Sequence, residues 1–426
     1  MYNSKMHLTE EELSILRGDK GETLQKVMES VVKYGEVFGA TKLTKIDGPV
    51  HLVTSFGIPL LKPVFGIMDE LIKDDLKTEY PFTLDPRPID YENVKANIIE
   101  KIVFSIMYGK QKEYEEQLKK VGLAQGNPFS CACYLDEIGN TPKLGQALAW
   151  AESSAVVYAN SVLGARTNRN SGIIELFCGI LGKAPVFGFL EDEGRKADWV
   201  IEVKTKELPP AQVLGSAIGI KVMEEVPYIK GLEKLLGDEL NNKTKDYLKD
   251  MGAASASNGA VGLYHVENLT PEAKNQGEKI IKENYKTYII DDKELERIKS
   301  SYPIMWKDKA EKPKLAFIGC PHLSYNQLIE WTERLYGDLQ GSKVKVKTVF
   351  TAPQNVIDKF KENTQVYNKF ISSGASLSYI CPLMYMNNMV ANKKPIITNS
   401  NKLRTYSTAR YFDDNEILKI IVKGEI

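Results

Sequence analysis

Histidine and cysteine are scarce in this chain, at four and five of 426 residues. So few imidazoles make a histidine-rich metal site a poor expectation. An odd, sparse set of cysteines argues against a disulfide framework. Net charge is also absent, because 56 Lys and Arg balance 56 Asp and Glu. A nucleic-acid partner calls for a basic excess or a basic face, and neither is visible. No window carries 18 uninterrupted apolar residues, so no membrane span is expected. The opening MYNSKMHLTEEELSILRG lacks the apolar stretch of a signal peptide, and the expected location is the cytoplasm. Familiar catalytic motifs are missing too. There is no GxGxxG, GxxxxGK[ST], HExxH or GxSxG, and Cys131-Ala132-Cys133 is not a CxxC.

What is present is an ordinary globular composition, 43% hydrophobic and 26% charged. At about 100–200 residues per domain, the length predicts two or three domains. Thr9 with Glu12 reads as a capping box, and a helix is expected over about 21–39. Residues 80–88 are proline-rich and predict a loop. Thr141-Pro142 predicts the start of a long helix with Ser153 and Ser154 at its middle and Gly164 as its stop. A polar loop follows at 165–172. Residues 259–266 read as a buried strand, Thr270-Pro271 as the start of a helix to about 285, and 286–313 as a linker. Beyond it, apolar runs at 314–319, 343–350, 377–381 and 395–398 alternate with helical stretches near 323–336, 353–372 and 403–411. That alternation predicts a parallel α/β sheet. The expected division is an N-terminal α/β lobe, 1–310, in one or two parts, and a C-terminal α/β domain, 311–426.

The last region places Cys320-Pro321-His322 and Cys381-Pro382-Leu383 directly after two predicted strands. Carboxyl ends of parallel strands share one edge, and ligand sites form outside that edge. Two thiols at matched strand ends should therefore face one crevice, with Cys131 or Cys133 as a third. Taken alone, the pattern fits buried structural thiols equally well. Arg166-Thr167-Asn168-Arg169 is a dense donor cluster that suits a carboxylate or phosphate, or else a solvated loop. Asn399, Ser400 and Lys402 follow the last strand, again at a carboxyl end. His265 and His322 read as core or supporting groups rather than ligands.

These residues carry a resemblance. The block from Trp150-Ala151-Glu152-Ser153-Ser154 through Ala165-Arg166-Thr167-Asn168-Arg169 resembles the signature of the aconitase X family. So do Asn140-Thr141-Pro142, Gly262-Leu263-Tyr264-His265, Gly319-Cys320-Pro321-His322, Cys381-Pro382 and Thr398-Asn399-Ser400, in family order over most of the chain. The resemblance implies an aconitase-like, multi-domain α/β/α architecture and an iron-dependent hydro-lyase. Its iron–sulfur cluster or mononuclear iron would be held by Cys131, Cys320 and Cys381. The substrate would be a small β-hydroxy acid, with cis-3-hydroxy-L-proline preferred and a phosphorylated mevalonate as the alternative. Ser153, Ser154, Arg166, Thr167, Asn168, Arg169, Asn399, Ser400 and Lys402 would contact it. The family also needs a small swivelling domain, fused or separate. No such segment follows residue 426, so the resemblance implies a separate small subunit that supplies the general base. Two segments depart from the family's pattern, residues 51–57 and Phe82-Thr83-Leu84-Asp85-Pro86. They favour the rival expectation of a non-catalytic metabolite-binding paralogue.

Overall fold

A computed structural model describes residues 4–53 and 57–426. The N-terminal part opens with the helix Glu10–Arg17, closed by the expected Thr9–Glu12 capping box, and the helix Glu22–Val37. Two small sheets follow. β1 (Leu43–Lys45) and β4 (Lys183–Pro185) pair antiparallel, and β2 (His51–Leu52) and β3 (Thr83–Leu84) pair parallel. β3 lies inside the predicted proline-rich loop, its edges bonded to 50–52 and 128–130.

A four-stranded parallel sheet comes next, in the order β7-β6-β5-β8. Its strands are β5 (Ala197–Val203), β6 (Pro227–Lys230), β7 (His265–Val266) and β8 (Ile281–Ile290). The helices Ala211–Val222 and Asn242–Gly259 cross beside it. A Cβ on Gly259 would stand 1.8 Å from the Gly219 carbonyl oxygen, so this crossing needs glycine. That explains one departure from the sequence reading. The small residues near 259 serve a helix contact, and the strand expected over 259–266 shrinks to His265–Val266. The helix expected to reach 285 stops at Gln276, and β8 takes up 281–290. Most of the predicted linker is likewise structured, as the end of β8 and the helix Asp292–Ser300, which leaves a connection at 301–314.

The long helix expected from Thr141-Pro142 is also corrected. It begins at Ser153, runs to Tyr158 and ends in a π-helical turn, Ala159–Leu163, with Gly164 in the left-handed conformation as its stop. Tertiary pairing explains the shift. The backbone at 147–150 is drawn out against 166–169 and His51, and Trp150 is fully buried there. Apolar spacing alone does not distinguish this pinned, extended segment from a helix.

The parallel C-terminal sheet holds, with two corrections: the helix expected over 353–372 is two helices, Gln354–Glu362 and Thr364–Ser372, and the helical stretch expected over 403–411 ends at Tyr406, after which Arg410–Tyr411 pairs with the neighbouring strand as a fifth strand. β9 (Leu315–Ile318), β10 (Lys347–Thr351), β11 (Ser376–Ser378), β12 (Ile396–Thr398) and β13 (Arg410–Tyr411) form a five-stranded parallel sheet, in the order β11-β10-β9-β12-β13. Alternate residues face opposite layers. Ala316 and Ile318 pack with the helices Tyr325–Leu339, Gln354–Glu362 and Asp414–Lys423, while Leu315 and Phe317 pack with Phe104, Tyr108 and Tyr385. Among the described residues no helix is long and apolar enough to cross a membrane.

Candidate functional site

Cys320 follows β9 and Cys381 follows β11, two strands separated only by β10. The third segment arrives from the N-terminal part. Ser130 N–H donates to the Leu84 carbonyl, and Cys131 comes next. Contacts of His322 knit these segments together. The buried His322 ring touches the Ile380 carbonyl through Nε2 at 3.1 Å and Ser130 Oγ through Nδ1 at 3.3 Å. The His322 backbone N–H donates to Cys131 Sγ at 3.3 Å. The buried Lys249 ammonium donates to the His322 carbonyl at 2.9 Å. His322 is thus a supporting group, as the sequence suggests, and it spans all three cysteine loops.

The turn at Cys320 requires glycine before it. Gly319 has φ +107°, and a Cβ there would stand 2.4 Å from the Thr351 carbonyl oxygen. Gly319→Ala is expected to cost about 2–4 kcal/mol of stability, from backbone strain plus overpacking. Urea unfolding checks this. An unchanged midpoint would mean that the turn shifts freely.

Cys131, Cys320 and Cys381 line one cavity of about 250 Å³. All three are free thiols. Burial pushes each thiol up, Cys381 to about 12. Cys133 is fully buried beside Thr83, and Cys178 lies in the N-terminal core; neither lines the cavity. Among the described residues no group of three or more His, Cys, Asp or Glu is placed to hold a single metal ion.

The same cavity also carries charge. Lys402 is ion-paired to Glu152, and its Nζ lies 3.3 Å from both Ser153 Oγ and Ser154 Oγ. Glu152 caps the short helix Ser153–Tyr158, accepting from Ala155 N–H and Ser154 Oγ–H at 2.6 Å each. Burial opposes ionisation of both groups, but their mutual attraction prevails. It holds the Glu152 carboxyl below its usual range and Lys402 above its own. Asp85 completes the lining. Its Oδ1 and the nearby His51 Nε2 are buried, lack hydrogen-bond partners and stand 3.9 Å apart. Burial and the adjacent Glu152 push the Asp85 carboxyl well up. Glu152, Asp85 and His51 were not among the predicted site residues, although His51 and Asp85 lie in the two divergent segments. The helix-cap position of Glu152 is visible only once the helix start moves to Ser153.

The remaining predicted residues separate. Ser400 caps the helix Asn401–Tyr406 and sits within hydrogen-bonding reach of the Cys320 thiol. Arg166 turns away to Asp192 and the Leu190 carbonyl, in a second cavity beside Arg195, His265 and Glu272. Thr167 and Asn168 are buried in backbone hydrogen bonds to Trp150, Phe187 and Phe189. Asn399 bonds Asp414, outside the cysteine cavity. Arg169 is exposed, in a loop whose Gly172 abuts the Val53 carbonyl, and Val53 lines the cysteine cavity. Of the divergent segment 51–57, Thr54, Ser55 and Phe56 lie outside the described residues.

With this geometry in place, known proteins can be compared. Family models described as the aconitase X first and second domains match residues 5–193 and 197–300. The phosphomevalonate dehydratase large subunit of Thermococcus kodakarensis is 33% identical, over 82% of this chain and 82% of that protein. The cis-3-hydroxy-L-proline dehydratase of Pseudomonas aeruginosa is 28% identical, over 61% of this chain and 42% of that protein. The crystal structure of Thermococcus kodakaraensis aconitase X, in its holo-form, superposes with a TM-score of 0.80 at 28% identity, covering 98% of this chain and 100% of that one.

Proposed function

Because this chain belongs to the aconitase X family, we propose that it is the large subunit of a dehydratase acting on a phosphorylated mevalonate. The observation that carries the reading is the single cavity that gathers three thiols from three separate segments together with a buried ammonium. The substrate choice rests on extent. The match spans 82% of a phosphomevalonate dehydratase large subunit but 42% of a hydroxyproline dehydratase. The name of the former also motivates a separate small subunit as partner and as the source of the general base.

The thiols fit an iron centre in kind, since soft thiolates select iron–sulfur clusters. Cys131, Cys320 and Cys381 would hold it. Bound there, the iron would act as a Lewis acid on the hydroxyl that leaves as water. The chain's own groups do the rest. Lys402 presents a fixed positive charge to the substrate carboxylate and stabilises the extra charge that develops as the neighbouring proton leaves. Ser153 and Ser154 orient that carboxylate beside the ammonium. Asp85, which lines the cavity with its Oδ1 unpartnered, is placed to hydrogen-bond a polar group of the substrate. Leu383 and Met384 keep water from the reacting centre. Arg169, exposed on the loop against Val53, is the candidate contact for the phosphate.

The test is turnover of 5-phosphomevalonate and cis-3-hydroxy-L-proline by the chain co-expressed with its small subunit and purified anaerobically. Iron and sulfide are measured alongside. We expect dehydration of the phosphorylated substrate in preference. Iron should be bound by the wild type and lost in Cys320→Ala and Cys381→Ala. Turnover of hydroxyproline alone would reverse the substrate assignment. Absence of both iron and turnover would favour a metabolite-binding protein.

A further inference from the structure

Behind the cysteine turns stands a second buried ammonium, which does not line the thiol cavity. Lys249 lies on the helix Asn242–Gly259 and is 2% exposed. A buried charge is unfavourable unless it is paired and hydrogen-bonded, so its partners show what holds it there. Asp246, Lys249 and Asp250 share one face of this helix, at spacings of three and four residues. That face meets the segment 322–327, directly after the Cys320 turn. Asp246 Oδ2 accepts from Ser324 Oγ–H at 2.8 Å, and Asp250 Oδ2 accepts from Gln327 Nε2–H at 2.9 Å. Both carboxylates supply countercharge, but their nearest oxygens stand 3.8 Å from Lys249 Nζ, too far for a hydrogen bond. The short bonds of the ammonium go to neutral oxygens instead. They reach Gln327 Oε1 and, at 2.9 Å, the His322 carbonyl.

Docking of the helix does not need the bond to His322. The two carboxylates already tie it to Ser324 and Gln327, and a capping box of those same two residues fixes the helix that follows. What the bond adds is control of one peptide plane. The peptide joining His322 to Leu323 donates its N–H to the Thr351 carbonyl at 2.9 Å and accepts from Lys249 at its C=O. Pinned on both sides, this plane fixes how His322 is presented. The His322 amide meets Cys131 Sγ at 3.3 Å, and its ring meets Ser130 Oγ and the Ile380 carbonyl, each next to a cysteine of the cavity. Cys320 itself lies two residues earlier. We infer that Lys249 is a positioning residue of the thiol site, which holds the His322 carbonyl and thereby sets how Cys131 and Cys320 face each other. The inference rests on the iron reading above for the metal that these thiols would share, but not for the geometry. An apolar side chain of similar length would fill the same space and leave that carbonyl unheld.

The test is iodoacetamide labelling of the metal-free full chain, followed cysteine by cysteine by mass spectrometry. Iron loss to a chelator and the visible spectrum of the anaerobic holoenzyme are measured alongside. Lys249→Met is compared with wild type and with Ser324→Ala, which loosens the same helix contact but leaves the His322 carbonyl held. Lys249→Met/Asp250→Asn removes the charge together with a partner, and it keeps the test decisive if the single variant folds poorly. In both Lys249 variants Cys131 and Cys320 should label at least about 10-fold faster, the effect of losing one hydrogen bond to a charged group on a local opening. Cys178, fully buried in the N-terminal core, should keep its wild-type rate and serves as the reporter of global loosening. Iron should leave faster by a similar factor, with an altered visible spectrum. Ser324→Ala should stay within about threefold of wild type in every measurement. Wild-type labelling of Cys131 and Cys320 in the Lys249 variants would overturn the inference. So would a rise shared by Cys178 or by Ser324→Ala, which would make Lys249 a structural pair only. Absence of iron from the wild type would overturn the iron reading, and labelling of the metal-free chain would still decide whether Lys249 positions the thiols.

Discussion

Lys402→Met is expected to abolish turnover and to lower stability by about 3–5 kcal/mol, the usual cost of leaving one partner of a buried ion pair alone. The ammonium touches Glu152, Ser153 and Ser154 within the cavity. Without it, Glu152 keeps two strong donors, Ala155 N–H and Ser154 Oγ–H, but remains buried with no countercharge. Urea unfolding separates the structural loss from the catalytic one. The double variant Lys402→Met/Glu152→Gln removes both charges and should recover most of the stability, because the penalty comes from the unpaired carboxylate. It should not recover turnover. Recovery of both would reduce Lys402 to a structural group. The pH dependence follows from the lowered Glu152 carboxyl. Its contribution is complete above the unfolded value of about 4.5 and is lost as pH falls through the lower folded value. The stability gap between wild type and the double variant should therefore narrow in acid.

Glu272→Ala is expected to destabilise the chain by a similar 3–5 kcal/mol, with little direct effect on the cysteine cavity. Arg195 is 3% exposed and makes a two-pronged pair with Glu272, Nε to Oε1 at 2.7 Å and an Nη to Oε2 at 2.9 Å. Its other donors reach Asn160 and the Phe189 carbonyl, and its own carbonyl meets His265 Nε2 at 2.9 Å. Arg195 thus joins the turn that ends the helix at 159–163, the 189 loop and the helix Pro271–Gln276 through its guanidinium, and β7 through its carbonyl. Alanine leaves it buried and half-paired. Chemical unfolding together with iron content measures the effect. A large drop in stability with iron retained is expected. Lost iron at unchanged stability would instead place this network in the site.

The same network explains why one strong sequence candidate lies elsewhere. Arg166 belongs to a donor-rich loop, which suggested anion binding, yet it faces Asp192 beside Arg195 and leaves Lys402 to line the thiol cavity. A run of donors indicates capacity to bind, whereas the pairing of residues 147–150 with 166–169 decides where each side chain points.

Local order was legible from local cues. The Thr9 capping box, the Gly164 stop and the parallel C-terminal sheet follow from turn chemistry and from the period of apolar residues, which depend on neighbours in the chain. Cys320 and Cys381 at strand ends follow for the same reason, since parallel strands must share a carboxyl edge. Only tertiary structure decided the rest. It set the helix start at Ser153, with Glu152 as its cap, because long-range pairing straightened the segment before it. It brought Cys131 to the two strand ends through β3, and it enclosed Glu152, Lys402 and Asp85 together. Those contacts join residues tens to hundreds of positions apart. Their energies come from burial and from desolvated charge, which no local pattern encodes.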